Sequence, residues 1–392
     1  MKTILTIILG IVCQIGFAKH PNLDRFLNRK MKRMDRIGMQ AAYIVDGKLA
    51  WKGSYGIKTY GESATINDST IFMIASSSKP VTALAIMKLY DQGLLDLDQP
   101  INDILPFEII NPNYPEEQIS TRMLLAHVSS IRDNWNHLEK GYTIDNGGDS
   151  NISMEEFLKS YLIPGGKYYD GKKNFYVHQP TEVERYTNVG YTVLGYIVER
   201  VTGQPFNEYM RKEIFQPLGM KNTFWKLAEV PHRNIATPHN MPYKETDFKG
   251  TQVLTHFGYP EYPAGQLRTS VSDYAKFLNL LINDGQVDGK QFLKKSTVEE
   301  FLRVQYPSAN KWRAISWSYN EVENPIYNLV MPRRPSHSGL DPGMASMVSF
   351  DPAAKAAVIF FTNSPTTTFW SEKIFYLDMV KRLFKEAKRA SN

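Results

Sequence analysis

Two short strand-forming runs near the N-terminus, 40–45 and 49–55, are joined by Asp46-Gly47, a dipeptide that tolerates the left-handed backbone of a two-residue hairpin turn. They predict entry into a sheet. Ahead of them Leu23, Phe26, Leu27, Met31 and Met34 recur at helical spacing, with Arg25, Arg29, Lys30, Lys32 and Arg33 between them. This amphipathic helix is expected to pack its apolar stripe on the sheet, the other reading being a basic helix on a membrane surface. From 79 to about 91 the apolar positions Val81, Leu84, Ala85, Met87, Leu89 and Tyr90 cover too much of a helix for one wet face, which predicts a buried helix.

Between about 94 and 263 the pattern changes to helical segments, 120–126, 154–161, 190–201 and 206–214, separated by long Gly, Pro and aromatic loops. Loops 133–151 and 164–180 are long enough to be expected as functional walls or lids. A further amphipathic helix is expected over 272–283. The chain then returns to strands, 314–319, 327–331, 345–350 and 356–361, with a turn at 351–355. A last helix, 369–387, carries Trp370, Ile374, Leu377, Val380 and Phe384 on one face. Strands at both ends of a helical middle predict an α/β (α+β) fold, one sheet built from both chain ends with an all-helical domain inserted. The expected division is 19–95 plus 264–392 for the sheet domain and 96–263 for the insertion.

Composition narrows the class. The chain has 392 residues, 42% hydrophobic and 22% charged, with a net charge of +6 whose excess lies near the N-terminus. That excludes a disordered, collagenous or coiled-coil chain and leaves no electrostatic footprint for nucleic acid. The single cysteine, Cys13, lies in the apolar run 3–18 behind Met1 and Lys2. The run is shorter than a membrane span and ends with Gly16 and Ala18 at the positions a signal peptidase reads. Residues 1–18 are therefore expected to be a signal peptide cleaved after Ala18, an uncleaved anchor being the other reading. Gly10-Ile11-Val12 lacks the small residue a lipoprotein site needs before Cys13. The mature chain would be exported, periplasmic or secreted, without a stable membrane span and without cysteine. Disulfides, cysteine nucleophiles and cysteine-bound zinc are then excluded.

No Gly-x-Ser-x-Gly, His-Glu-x-x-His, Walker loop or Gly-x-Gly-x-x-Gly occurs. What remains is Ser-x-x-Lys, found at Ser76 and Lys79 and again at Ser308 and Lys311. Only the first opens the buried helix. Residues three apart share a helix face, which sets the Lys79 amine beside the Ser76 hydroxyl as a base beside a nucleophile. A lysine does this work only where burial or neighbouring positive charge lowers its pKa. Taken alone, the pair also reads as a capping serine before a surface lysine. Tyr186-Thr187-Asn188 precedes the helix near Gly190, where a phenol can share proton transfer and an amide can hold a substrate carbonyl, or Asn188 can simply cap. At His337-Ser338-Gly339 a glycine lets a substrate backbone lie along a sheet edge, and the amide of Leu340 can face an oxyanion.

In this order and at these separations the three elements resemble the serine β-lactamase and penicillin-binding-protein superfamily. The branch they resemble holds class C β-lactamases, D-Ala-D-Ala carboxypeptidases and esterases. The resemblance runs from about Gly38 to Asn363 and includes the segments 119–130, 194–199, 217–220 and 263–267. It implies an antiparallel sheet flanked by helices, with the active site in the crevice beside an all-helical domain, and no cofactor or metal. It further implies that Ser76 is acylated, that Lys79 and Tyr186 move protons, and that Asn188 orients the substrate. The Ser76 and Leu340 amides would form the oxyanion hole.

The departures matter too. His337 stands where lactamases of this group have a lysine, so the fixed charge that would hold a substrate carboxylate is weakened, with Arg333 and Arg334 as candidate replacements. His127 is expected to be structural. Tyr168, Tyr169, Phe175, Tyr176, Phe257 and Tyr259 are equally readable as pocket lining or as packing. The function expected is a serine hydrolase cleaving an amide or ester in a small-molecule or peptide substrate. The alternatives are a true β-lactamase and a catalytically silent protein that binds penicillin or peptidoglycan fragments.

Overall fold

A computed structural model describes residues 20–231, 234–240, 250–319, 332–365 and 369–391, the last segment from the backbone alone over 369–371. The expected leader 1–18, the expected strand 327–331 and the side chain of Trp370 lie outside the described residues.

Five antiparallel strands form the main sheet: β1 (Gly38–Val45), β2 (Lys48–Gly56), β3 (Ser336–Asp341), β4 (Met344–Asp351) and β5 (Ala356–Thr362), in spatial order β2-β1-β5-β4-β3. The central β1–β5 pair, with Met39 opposite Thr362 and Ile44 opposite Ala357, joins the two chain ends as expected. Asp46 and Gly47 both take positive φ, 51° and 68°, so the hairpin closes with the turn its sequence predicts.

Period-two alternation sends neighbouring residues to opposite faces. Met39, Ala41, Tyr43, Val358 and Phe360 pack under helix α1 (Pro21–Arg33) through Leu23, Leu27 and Met31. The C-terminal helix, Phe369–Ala390, covers the same face. Ala42, Ile44, Ile359 and Phe361 face the larger core, which includes α2 (Lys79–Asp91), α3 (Thr121–Leu125), α4 (Met154–Leu162), α5 (Asn188–Thr202) and α6 (Val271–Ile282). Helix α2 is buried on nearly every side, as its composition requires.

Three expectations change. The segment 314–319 is no strand but a turn with isolated bridges, Val304 to Ala314, Arg313 to Ser318 and Ser318 to Ser336, because Ser316 takes φ 62° and breaks extension. Its apolar residues are there to fill the core, Trp317 packing on Phe277 and Phe350. The buried face of the C-terminal helix holds Leu377 and Val380 as expected, with Phe384 packed against it, but it departs from the expected one at its start. Ile374 is 52% exposed, while Phe375 and Tyr376 pack on Phe360. Finally, His337-Ser338-Gly339 does not merely precede strands but forms β3, the sheet edge itself.

Candidate active site

The segment that carries Ser76 is a 3₁₀ turn, Ala75–Ser78, leading into α2. Ala75 takes φ 48°, a costly conformation for a residue with a Cβ, and the surroundings over-determine it. Ser346 Oγ donates to the Ile74 carbonyl at 2.6 Å, Ser78 Oγ to the Ala75 carbonyl at 2.6 Å, and the Tyr274 hydroxyl to the Ser77 carbonyl at 2.9 Å. Ser76 alone in this turn is partly exposed. Strand β3 presses against the same turn: a Cβ at Gly339 would lie 2.3 Å from the Ile74 carbonyl oxygen and 3.0 Å from the Ser76 amide nitrogen. Only glycine fits there.

Lys79 is fully buried, and its Nζ donates to Ser76 Oγ at 3.2 Å, Asn188 Oδ1 at 2.7 Å and the Ala264 carbonyl at 2.6 Å. The same Nζ lies 4.8 Å from the centre of the Tyr186 ring. Asn188 does not cap α5. Thr187 does, its Oγ accepting from the Gly190 amide at 3.1 Å, which leaves the Asn188 side chain to face Lys79. The Tyr186 ring rests 4.4 Å from that of His127 and 6.3 Å from that of His337.

His127 is wholly buried, and burial pushes its pKa well below the ordinary histidine value. Its neutral Nδ1 accepts from the Thr187 amide at 3.2 Å. His127 thus positions the Tyr186–Asn188 segment by packing and one hydrogen bond, the structural part expected of it. His337, 2% exposed, donates from Nδ1 to the Ser338 carbonyl at 2.7 Å. Leu340, next along the edge, is 44% exposed.

These residues meet in a cleft of about 520 Å³ lined by Ser76, Tyr186, Asn188, His337, Ser338 and Leu340 from the sequence reading. Lys79 is buried next to Ser76, and Gly339 packs on the Ile74–Ser76 backbone. Tyr176 and Tyr259 also line it, whereas Phe175 and Phe257 are core and Tyr168 and Tyr169 pack against it. Loop 133–151 supplies Asp133, Trp135 and Tyr142, and loop 164–180 supplies Tyr176, so both loops act as walls. Ser308 and Lys311 are exposed on a turn elsewhere. Arg333 and Arg334 do not replace a cleft lysine. The first lies 3.2 Å over Trp312, and the second pairs with Asp351 at 3.0 Å.

Sequence reasoning missed three acids. Asp133 accepts from the Thr187 hydroxyl at 2.9 Å, the Asn188 amide at 2.8 Å, Asn188 Nδ2 at 2.8 Å and the Val189 amide at 3.1 Å. Burial pushes its pKa up, and the donated hydrogen bonds pull it down. Asp341, at the end of β3, accepts from the Tyr259 hydroxyl at 2.9 Å and the Tyr142 hydroxyl at 3.3 Å, and burial raises its pKa to about 6. Glu261 is 3% exposed, and burial raises its pKa to about 8. The one sequence signal was an acid set among aromatic, Gly and Pro neighbours, as in Tyr259-Pro260-Glu261-Tyr262.

The family profile named Beta-lactamase matches residues 23–377. The chain belongs to the Beta-lactamase family. Protein flp of Staphylococcus aureus (strain MW2) is 23% identical over 343 residues, 87% of this chain and 62% of that protein. The chain thus spans about three fifths of the length of such curated relatives. Among solved structures, the octameric penicillin-binding protein homologue from Pyrococcus abyssi superposes with a TM-score of 0.71 at 23% identity, covering 93% of this chain and 80% of that one. The D-amino acid amidase from Ochrobactrum anthropi SV3 gives 0.70 at 21%, covering 93% and 97%. At these identities the likeness to the solved structures is one of fold.

Proposed function

We propose that this Beta-lactamase family member is an exported serine hydrolase that cleaves an amide or ester in a small-molecule or peptide substrate through an acyl-enzyme on Ser76. The observation that carries the reading is the buried Lys79 amine 3.2 Å from Ser76 Oγ. A serine hydroxyl needs a neighbour to take its proton, and a buried amine fixed by Asn188 and the Ala264 carbonyl is such a neighbour. With Lys79 unprotonated, its two N–H bonds stay on Asn188 and Ala264, its lone pair replaces the donation to Ser76, and Ser76 Oγ attacks the substrate carbonyl as its proton passes to Nζ. Tyr186, exposed to the cleft beside Lys79, relays that proton to the leaving amine or alkoxide. Water then attacks the acyl carbon, gives its proton to the same pair, and Ser76 leaves with its hydroxyl restored. The amides of Ser76 and Leu340 hold the oxyanion in both halves. The cleft lies between 19–95 plus 264–392, which supply Ser76, Lys79 and His337, and 96–263, which supplies Tyr186 and Asn188.

Support for amide or ester cleavage over a silent binding role comes from the intact Ser76–Lys79–Asn188 contacts. Export rests on residues 1–18, and N-terminal sequencing of the secreted chain, expected to begin at Lys19, tests it. Among the described residues no helix is long and apolar enough to cross a membrane. Turnover of a panel of p-nitrophenyl esters, nitrocefin and D-Ala-D-Ala peptides tests the activity. Hydrolysis of at least one class that disappears in Ser76→Ala is expected. Turnover unchanged by that substitution would overturn the reading.

A further inference from the structure

We infer that the wall of the cleft formed by Glu261, Asp341, Tyr142 and Tyr259 receives a cationic group, so that the substrate carries an ammonium within a few bonds of the scissile carbonyl. The inference rests on the acyl-enzyme reading for its substrate and on the wall itself for its charge. Glu261 lines the cleft, is 3% exposed, and its Oε2 has no hydrogen-bond partner among the described residues. A buried carboxyl oxygen left bare is costly, and a site that a ligand completes accounts for it. The segment that holds Glu261 also holds the base: the Ala264 amide donates to the Glu261 carbonyl at 2.9 Å, and the Ala264 carbonyl accepts from Lys79.

Asp341 fixes the distance from the nucleophile. It lies two residues beyond Gly339 on β3, on the same strand face, and the Gly339 Cβ position is 3.0 Å from the Ser76 amide. Two strand residues span about 6.5 Å. An acidic side chain reaching from one end and a short amino substituent on the acyl carbon reaching from the other fill that length together. Two phenols already donate to Asp341, and a carboxylate has about four acceptor sites, so about two remain for the hydrogens of an ammonium, with the bare Glu261 Oε2 as a further acceptor on the same wall. The Tyr142 and Tyr259 rings, 4.6 Å apart, add the aromatic surface that cations favour.

The other charges agree with this polarity. Lys79 donates to Ser76, Asn188 and Ala264. Arg268 is buried and donates to the carbonyls of Phe257, Trp225 and Gln266. Arg132 lies at the exposed rim, over the Tyr176 ring at 5.3 Å. Asp133 is occupied by Asn188 and its neighbours. Among the described residues no three His, Cys, Asp or Glu side chains are grouped to hold a metal ion, which favours an organic cation. Burial raises the pKa of both Glu261 and Asp341, and a bound ammonium relieves that penalty.

The test compares alanine p-nitroanilide, in both enantiomers, with its N-acetyl and N-succinyl forms on the full chain. The free amine is expected to exceed the acetyl form in kcat/KM by roughly 10- to 100-fold, the usual worth of a hydrogen bond to a charged group, with the succinyl form weakest. The ratio should fall to within about twofold of unity in the Glu261→Gln, Asp341→Asn double variant, as loss of the same charged contact requires. Equal rates in wild type, or a preference for the succinyl form, would overturn the inference. Calorimetry with benzylammonium against benzyl alcohol reads the wall without turnover. If no substrate is cleaved and no fluorophosphonate bound, the acyl-enzyme reading fails, while selective benzylammonium binding, lost in Glu261→Gln, still supports the cation wall. Equal binding of amine and alcohol refutes it.

Discussion

Replacing Asp133 by asparagine changes one oxygen to a nitrogen at the point where Thr187, Asn188 and Val189 of the candidate site are anchored. One carboxylate oxygen accepts from the Thr187 hydroxyl and the Val189 amide, at 2.9 and 3.1 Å, and the other accepts from Asn188 Nδ2 and the Asn188 amide, both at 2.8 Å. An amide nitrogen in either place meets a donor instead of an acceptor. If it faces Asn188 Nδ2, the Asn188 amide can escape only by turning over, which sets its NH₂ against Lys79 Nζ, now 2.7 Å from Oδ1. If it faces Thr187 and Val189, the first turn of α5 loses its anchor. Losing one hydrogen bond to a charged group and opposing a second pair of donors costs about 2 to 4 kcal/mol. Since the loss falls on the placement of Lys79 beside Ser76, kcat/KM should drop roughly 30- to 1000-fold. The assay is kcat/KM for a p-nitrophenyl ester together with the second-order rate of fluorophosphonate labelling, with circular dichroism to establish that the variant is folded. A folded Asp133→Asn within threefold of wild type in both rates would refute the reasoning, because Lys79 would then not depend on Asn188 for its place.

Gly339→Ala puts a methyl 2.3 Å from the Ile74 carbonyl and 2.5 Å from Ser346 Oγ, so β3 must move away from the Ala75–Ser78 turn. Such overpacking costs about 1 to 3 kcal/mol, to be read as a lower Tm together with a loss of ester turnover. Glu261, held near pKa 8 when folded, keeps a proton that the unfolded chain has released above its ordinary value of 4.5. The folded state therefore binds more protons in that window, and unfolding free energy falls as pH rises from about 4.5 to about 8. Glu261→Gln should remove about 2 to 5 kcal/mol of that fall in urea titrations at the two ends, a span set by the size of the pKa rise. Lys79→Ala should slow acylation by about 10² to 10⁴, the worth of a positioned base, whereas Lys311→Ala, on an exposed turn, should leave it unchanged.

Periodicity made the framework legible. The burial of α2, the Asp46-Gly47 hairpin and the pairing of strands from opposite chain ends all follow from residues that choose a face by their spacing. Strand β3 escaped because Ser336-His337-Ser338-Gly339 has no strand preference of its own and is extended by pairing with β4. The error at 314–319 has the opposite cause, since Trp317 reads as a strand residue but is drawn inward by Phe277 and Phe350. For the candidate site, order and spacing along the chain brought Ser76, Lys79, Tyr186, Asn188 and His337 together. Asp133 and Asp341 carry no local pattern, because their partners, Asn188, Tyr142 and Tyr259, are distant in sequence and become neighbours only in the folded chain.

The acyl-enzyme on Ser76 is tested most directly by treating the protein with a fluorophosphonate and mapping the adduct by peptide mass spectrometry. One adduct per chain is expected on the peptide containing Ser76, with none on the peptide containing Ser308 and none anywhere in Ser76→Ala. An unlabelled wild-type protein, or labelling that persists in Ser76→Ala, would contradict the account.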